Sequence, residues 1–303
     1  MRLEKKITIF VAIALVVIGI GMMSLSLFAA GGNIMNLIKT VEYAEKTIDI
    51  TDQNFTSIDI QIGAHDIQIL KSDDKNTHFE CHEASDDKYK IHVQGNTLVI
   101  ENKASWNLKQ NLLVSRPHVM EVLYLPGDTY QDFTCKVGSG DVYLQPEFTF
   151  DNVEVSVGSG EATLENFRAK DIKVHSGSGD IYLKDMVSAG VDIHIGSGDI
   201  TVNNLDCESE FQAESMSGKI KLTDVVSDNR FYSSTGSGDI YLDGCDGHSM
   251  EFKTGSGDVQ GTLLTAKKFD AKSGSGDIRI PQDGGEGRCN IKTGSGDIDI
   301  SIK

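Results

Sequence analysis

A tetrapeptide returns at a nearly constant interval through the C-terminal half of the chain, and no other feature restricts the fold so severely. Gly-Ser-Gly-Asp begins at Gly138, Gly177, Gly196, Gly236, Gly255, Gly274 and Gly294. Two degenerate copies, Gly158-Ser159-Gly160-Glu161 and Met216-Ser217-Gly218-Lys219, complete a series of nine. The central serines stand at 139, 159, 178, 197, 217, 237, 256, 275 and 295, so every step is 19 or 20 residues. Such a period marks stacked supersecondary units, none of which can bury its apolar face alone.

Within a repeat, apolar residues keep fixed distances from the serine. Around Ser197 they are Val191, Ile193 and Ile195, then Ile200, Val202 and Leu205. Ser159 and Ser217 carry matching sets that begin at Val153 and Phe211. The spacing of two within each arm is that of a strand with one buried face. Between the arms the inward set jumps from two residues before the serine to three after it. This odd step reverses side-chain parity and requires a turn. Flanking glycines suit the turn because they reach positive φ without steric cost. By the same parity the central serines are expected to point inward, as turn residues rather than nucleophiles. The repeat then closes by a looser return of about eight residues. The pattern predicts an all-β chain, a parallel β-solenoid of 19–20 residues per coil, with nine coils forming a rod of roughly 40 Å at about 4.8 Å per rung.

The frame appears once earlier. Ile58, Ile60 and Ile62 precede Gly63-Ala64-His65-Asp66, and Ile67 and Ile69 follow it. Ala64 lies 75 residues before Ser139, close to four periods. Strand-like runs occupy 77–81, 88–93, 97–101 and 118–125, with Gln94-Gly95-Asn96 as a hairpin turn. Residues 47–130 are therefore expected to form an irregular opening and cap, and 131–303 the regular solenoid. A separate small β domain at 47–130 is the alternative.

Residues 7–30 contain no charged side chain, enough as a helix to span a bilayer. Arg2, Lys5 and Lys6 precede this run, which keeps the N-terminus cytoplasmic under the positive-inside rule. The expectation is a cytoplasmic tail at 1–6, one transmembrane helix at 7–30, a tether at 31–46 with helix through 34–44, and an extracytoplasmic solenoid in the cell membrane. A cleaved signal peptide is the alternative, but the apolar run exceeds the usual length of such a core.

The chain carries a formal charge of −17, which disfavours nucleic acid as a ligand. Of five cysteines, Cys135, Cys245 and Cys289 occupy inward offsets, while Cys81 and Cys207 fit the frame less readily. Buried thiols are expected rather than a disulfide framework.

Three sets of residues bear on chemistry. Stacked coils align Asp141, Asp180, Asp199, Asp239, Asp258, Asp277 and Asp297 into a ladder of like charges that needs compensation. Hydrogen bonds from the amides of each residue's own turn would supply it. The competing reading is a row of cation sites, with Ca²⁺ the natural match for oxygen ligands and Asp239, Asp258, Asp277 and Asp297 the candidates. His78, Glu80 and His82 share one strand face and form a second, weaker metal candidate, since no fourth ligand follows at a known spacing. The serine motif lacks the G-x-S-x-G elbow and its context. No catalytic residue and no cofactor is assigned.

The anchor, the irregular opening and phrases such as Val174-His175-Ser176-Gly177-Ser178-Gly179-Asp180-Ile181-Tyr182-Leu183 resemble a bacterial family of β-strand-repeat domains of unknown function that carries the adhesin label. That family includes LiaG-type membrane-anchored envelope proteins. The resemblance covers about 47–303 and implies a β-solenoid at a bacterial surface with no established enzymatic activity. The leading expectation is a non-enzymatic envelope interaction module whose partner is an envelope protein or a glycan. An accessory or sensor in envelope stress, acting through a membrane partner, is the second. A polysaccharide-active enzyme on a β-helix is remote, because coils of such constant length leave little room for a loop-built cleft.

Overall fold

A computed structural model describes residues 39–50, 54–85, 87–102, 114–115, 117–145, 147–282 and 284–303. The tail and membrane span expected at 1–6 and 7–30 lie outside these residues. Among the described residues no helix is long and apolar enough to cross a membrane. The expected tether helix also lies partly outside them, and where it is described the backbone is strand, at Lys39–Thr40 and from Ala44 onward in Ala44–Ile50. Two compact units are present. The first comprises Met1–Tyr43 and Ser105–Pro117, and its described part is a short parallel pair, Lys39–Thr40 with Val114–Ser115. The second, Ala44–Ala104 with His118–Lys303, is the parallel β-solenoid.

Each coil of the solenoid is named here by its corner serine. The motifs stack in register, Ser139 on Ser159, then Ser178, Ser197, Ser217, Ser237 and Ser256. Residues of the predicted inward set are buried. Val191, Ile193, Ile195, Ile200, Val202 and Leu205 line the core in the Ser197 coil, and Phe211, Phe231 and Phe252 pack from coil to coil in tilted and edge-to-face contacts at centroid distances of 4.8 and 5.6 Å. Burying one such side chain contributes about 1.5–3 kcal/mol. A coil gains it only when its neighbours cover both of its faces, which couples stability along the rod.

The corner at the motif needs glycine for two reasons. Gly179 and Gly198 have φ of 128° and 130°, and a Cβ on Gly179 would stand 2.0 Å from the Gly160 carbonyl oxygen of the preceding coil. The serine beside them is exposed in every copy, which corrects the expectation that it points inward. Because the chain turns at the glycines, the strand's alternation ends before the serine. The inward hydroxyls lie two residues earlier. Ser215, Thr235, Thr254 and Thr293 each donate to the carbonyl of a motif's second glycine in the adjoining coil, at 2.9 to 3.4 Å.

The return is not loose. Ile181–Ser197, Ile200–Ser217, Ile220–Ser237 and Ile240–Ser256 are continuous strands bent at a second corner. There Asn166, Asp185, Asn204 and Asp224 adopt φ between 50° and 58° and Gly244 adopts 66°. Asn and Asp tolerate this left-handed conformation better than other side chains. A third corner places Ser188, Cys207 and Ser227 in one buried column, each donating to two backbone carbonyls. Cys207 thus stands in for a serine. All five cysteines are free and buried, and burial pushes the thiols of Cys81, Cys245 and Cys289 up to about 12.

Chain order and spatial order part at both ends. The Ala64 coil does not lie four periods from Ser139. Ile58, Ile60 and Ile62 pair directly with Phe133, Cys135 and Val137. The residues between are spent beyond it, where Thr97–Asn102 and Met120–Leu125 add an outer rung. Ala44–Ile50, Thr77–Glu83 and Tyr89–Gln94 then close that end with antiparallel pairs. The hairpin turns at Gly95, as expected. At the other end the final coil, Arg288–Ser295 and Ile298–Ile302, slips between the coils of Ser256 and Ser275.

Candidate functional site

The aspartates form the expected ladder, but each serves its neighbour rather than its own turn. Oδ1 of Asp66 accepts the amide of Asp141, and Oδ1 of Asp141 accepts that of Glu161. The same bond runs from Asp199 to Asp180, Lys219 to Asp199, Asp258 to Asp239, Asp297 to Asp258 and Asp277 to Asp297, at 2.7 to 3.0 Å. The second oxygen is often held as well, by Tyr143 on Asp141, Tyr241 on Asp239 and Gln260 on Asp258. Charge-assisted bonds of this kind offset the repulsion between rungs. Lys219 supplies an amide but no acceptor, so the relay stops there and restarts at Asp239.

His78, Glu80 and His82 share one face of Thr77–Glu83 but do not converge on a common point. His78 stacks on Tyr124 with centroids 4.3 Å apart, and the Tyr124 hydroxyl donates to Glu80. His82 instead donates its backbone N–H to Oε2 of Glu121 at 2.8 Å. Among the described residues no group of three or more His, Cys, Asp and Glu is placed to hold a metal ion.

Glu121 belongs to a cluster that the sequence did not reveal. Its Oε1 lies 2.6 Å from Nδ1 of His65, whose Nε2 lies 3.3 Å from Oδ2 of Asp87. All three side chains are buried. Burial pulls the imidazole down, but the hydrogen bonds and charges of Asp87 and Glu121 outweigh it and raise His65 to about 9. An imidazolium clamped between two carboxylates and closed to solvent holds strands together and offers no reagent to a substrate. Its members are 22 and 56 residues from His65 in sequence, so spacing could not have found it.

Among the described residues a solvent-facing groove runs beside the first glycine of successive motifs. A cleft of about 580 Å³ has Gly63, Gly138, Gly158 and Gly177 along its floor, with Gln61, Lys136, Ser156 and His175 on its wall. A second cleft of about 330 Å³ shares His175 with it and continues past His194 and Gly196 to Glu214 and Met216. Together they cross six coils, or about 24 Å. The groove exists because a column of residues lacks side chains, and it ends where Met216 replaces the glycine. Met216 is 71% exposed, and its Cε lies 3.5 Å from where a Cβ on Gly196 would stand. His175 and His194 stack 5.5 Å apart within 6° of parallel, and Asp192 holds His194 at 2.9 Å. The wall offers donors and acceptors at rung spacing. The sequence did carry this signal, as the repeated glycine and the single methionine that interrupts it.

Two matches to the Toastrack DUF4097 family model, over residues 55–225 and 208–303, span most of the chain, which belongs to that family. None of the curated proteins compared with the chain matches it. Among solved structures it is similar to a "putative adhesin" from Bacteroides fragilis, at 17% identity and a TM-score of 0.50, over 86% of this chain and 99% of that one. A "putative lipid binding protein" from Parabacteroides distasonis matches at 15% identity and 0.54, over 86% and 98%. Another "putative adhesin" from that organism matches at 12% and 0.52, over 86% and 99%. At these identities the likeness establishes the fold.

Proposed function

We propose that this protein is a non-enzymatic interaction module of the cell envelope, anchored in the membrane by residues 7–30, whose extracytoplasmic solenoid binds an extended envelope polymer in an adhesin-like role. The observation that carries the reading is the groove from Gly63 to Met216, two adjoining clefts whose mainly apolar surface carries polar side chains at rung spacing. It suits a linear ligand that repeats its contacts. A glycan strand rich in hydroxyl and amide groups meets that requirement, as does an extended protein segment.

The test is capture of envelope material by the full chain reconstituted in lipid. Ser156→Arg, which projects a long side chain from the wall into the groove, is expected to lower capture at least tenfold, while Lys221→Arg on another face leaves it unchanged. Protease treatment of the envelope separates a glycan ligand, which survives, from a protein. Equal capture by Ser156→Arg and the parent would reject the groove. Recovery from culture medium of a mature form lacking residues 1–30 would reject the anchor.

A further inference from the structure

The two ends of the solenoid are finished differently, and the C-terminal end is left open. Its last rung is the Ser275 coil, whose strands Lys268–Ser273 and Ile278–Arg279 pair on one side, with Arg288–Ser295 and Ile298–Ile302. Among the described residues no strand covers the other side. In the neighbouring coil Ile291 and Ile298 are fully buried, whereas Ile278 is 43% exposed and Ile280 and Leu264 are similarly uncovered. Phe269 and Ala271, which occupy core positions of the frame, are half-buried. Unpaired edges of this kind are templates for further strands.

Charge singles out the same end. Residues 263–303 carry seven basic and six acidic side chains, whereas 40–262 carry 17 and 38. The acidic field that would hold two copies apart is therefore neutralised where the edge is bare.

We propose that this end binds a second copy of the chain, edge to edge, about a two-fold axis. Strands related by a two-fold run antiparallel. With Ala271 facing Ala271, Asp270 lies opposite Lys272 of the second copy, and Lys272 opposite its Asp270. Shifting the register by one residue on each strand would place Asp270 against Asp270. The opposite end of the solenoid presents the antiparallel strands Ala44–Ile50 and Tyr89–Gln94 in place of a parallel rung, so head-to-tail stacking would not continue the coil register. The assembly closes at two.

Cross-linking of the full chain in membranes tests this, because the five native cysteines are buried. Directly opposed residues of antiparallel strands lie about 4.5–5.5 Å apart at Cα, within disulfide reach. Ala271→Cys is therefore expected to form a disulfide-linked dimer on oxidation, and Lys221→Cys on a side face is not. Adding Asp270→Lys or Lys272→Asp to Ala271→Cys should each reduce the dimer at least tenfold, and the double exchange should restore it. No dimer above the Lys221→Cys background would overturn the proposal. So would a dimer indifferent to the charge exchanges, or a ladder of larger species.

Discussion

The repeat stack and the N-terminal cap solve one problem by opposite means. In the stack, most polar groups at a corner find their partner in the adjoining coil. Motif amides meet the preceding aspartate, and the Thr235 and Thr254 hydroxyls meet a glycine carbonyl. Repetition supplies the partner, so the interior can stay apolar. In the cap the next coil is missing and antiparallel strands of another register take its place. There the protein buries His65, Asp87 and Glu121, an arrangement that is costly unless complete. Repetition supplies most partners at once, and an end must be satisfied residue by residue. The failure modes should differ accordingly, spreading in the stack and confined in the cap.

The largest expected effect tests the spreading. Ile200→Asp places a carboxylate among fully buried neighbours in mid-stack and should cost more than about 4 kcal/mol. Hydrogen exchange should show lost protection in the coils on both sides, since each depends on its neighbours. Loss limited to the Ser197 coil would show that the coils are less coupled than their shared core requires.

His65→Ala should cost about 3–5 kcal/mol, because it leaves two buried carboxylates without their cation. Protection should fall in Thr77–Glu83 and Tyr89–Gln94, while Ile220–Ser237 stays protected. Titration probes the same cluster without mutation. The folded value of His65, about 9, lies above its ordinary 6.5. The stabilisation is then fully present below about pH 6.5 and is lost as pH rises through about 9. Tyr89, Asp87 and Glu121 contact the ring, and His82 reaches the far oxygen of Glu121. Exchange rates corrected for intrinsic chemistry should therefore rise in the cap above pH 9 before they rise in the stack, and His65→Ala should abolish that difference.

What could be read from the sequence divides along the same line. Period, inward set and motif corner follow from local spacing, as Val191 to Leu205 show. The second corner was equally legible, since Asn166, Asp185, Asn204, Asp224 and Gly244 each stand seven residues after a central serine. The left-handed preference of these residue types marks a turn where a loose return was expected. Relations between coils were not legible. Nothing in the spacing tells an aspartate to cap its neighbour's amide, and two coils with the same pattern can exchange places, as the final pair does. The cap cluster joins residues that carry no common motif, so it appears only when the strands are in place.

The aspartate ladder supplies a smaller effect. Asp258 accepts the Asp297 amide at 2.8 Å and Gln260 at 2.9 Å. An asparagine oxygen can replace the first of these, so Asp258→Asn should cost about 1 kcal/mol. A chelator should leave the melting temperature of the parent chain unchanged. A drop of several degrees on chelation would instead mean that a cation, rather than the neighbouring amides, holds the ladder together.

The smallest effect decides which hydroxyl column matters. Ser237 stands at the centre of its motif but is exposed, so Ser237→Ala should change stability by less than about 0.5 kcal/mol. Thr235, two residues earlier, is buried and donates to the Gly218 carbonyl at 2.9 Å. Thr235→Val keeps the shape and removes the donor, leaving that carbonyl short of a partner, and should cost about 1 kcal/mol. The corner's conspicuous serine is thus expected to be dispensable while its inconspicuous neighbour is not. Chemical denaturation of both variants measures the contrast. If Ser237→Ala proved the costlier, the central serine would have to bond across coils, and the rule that buried hydroxyls rather than motif serines join the stack would fail.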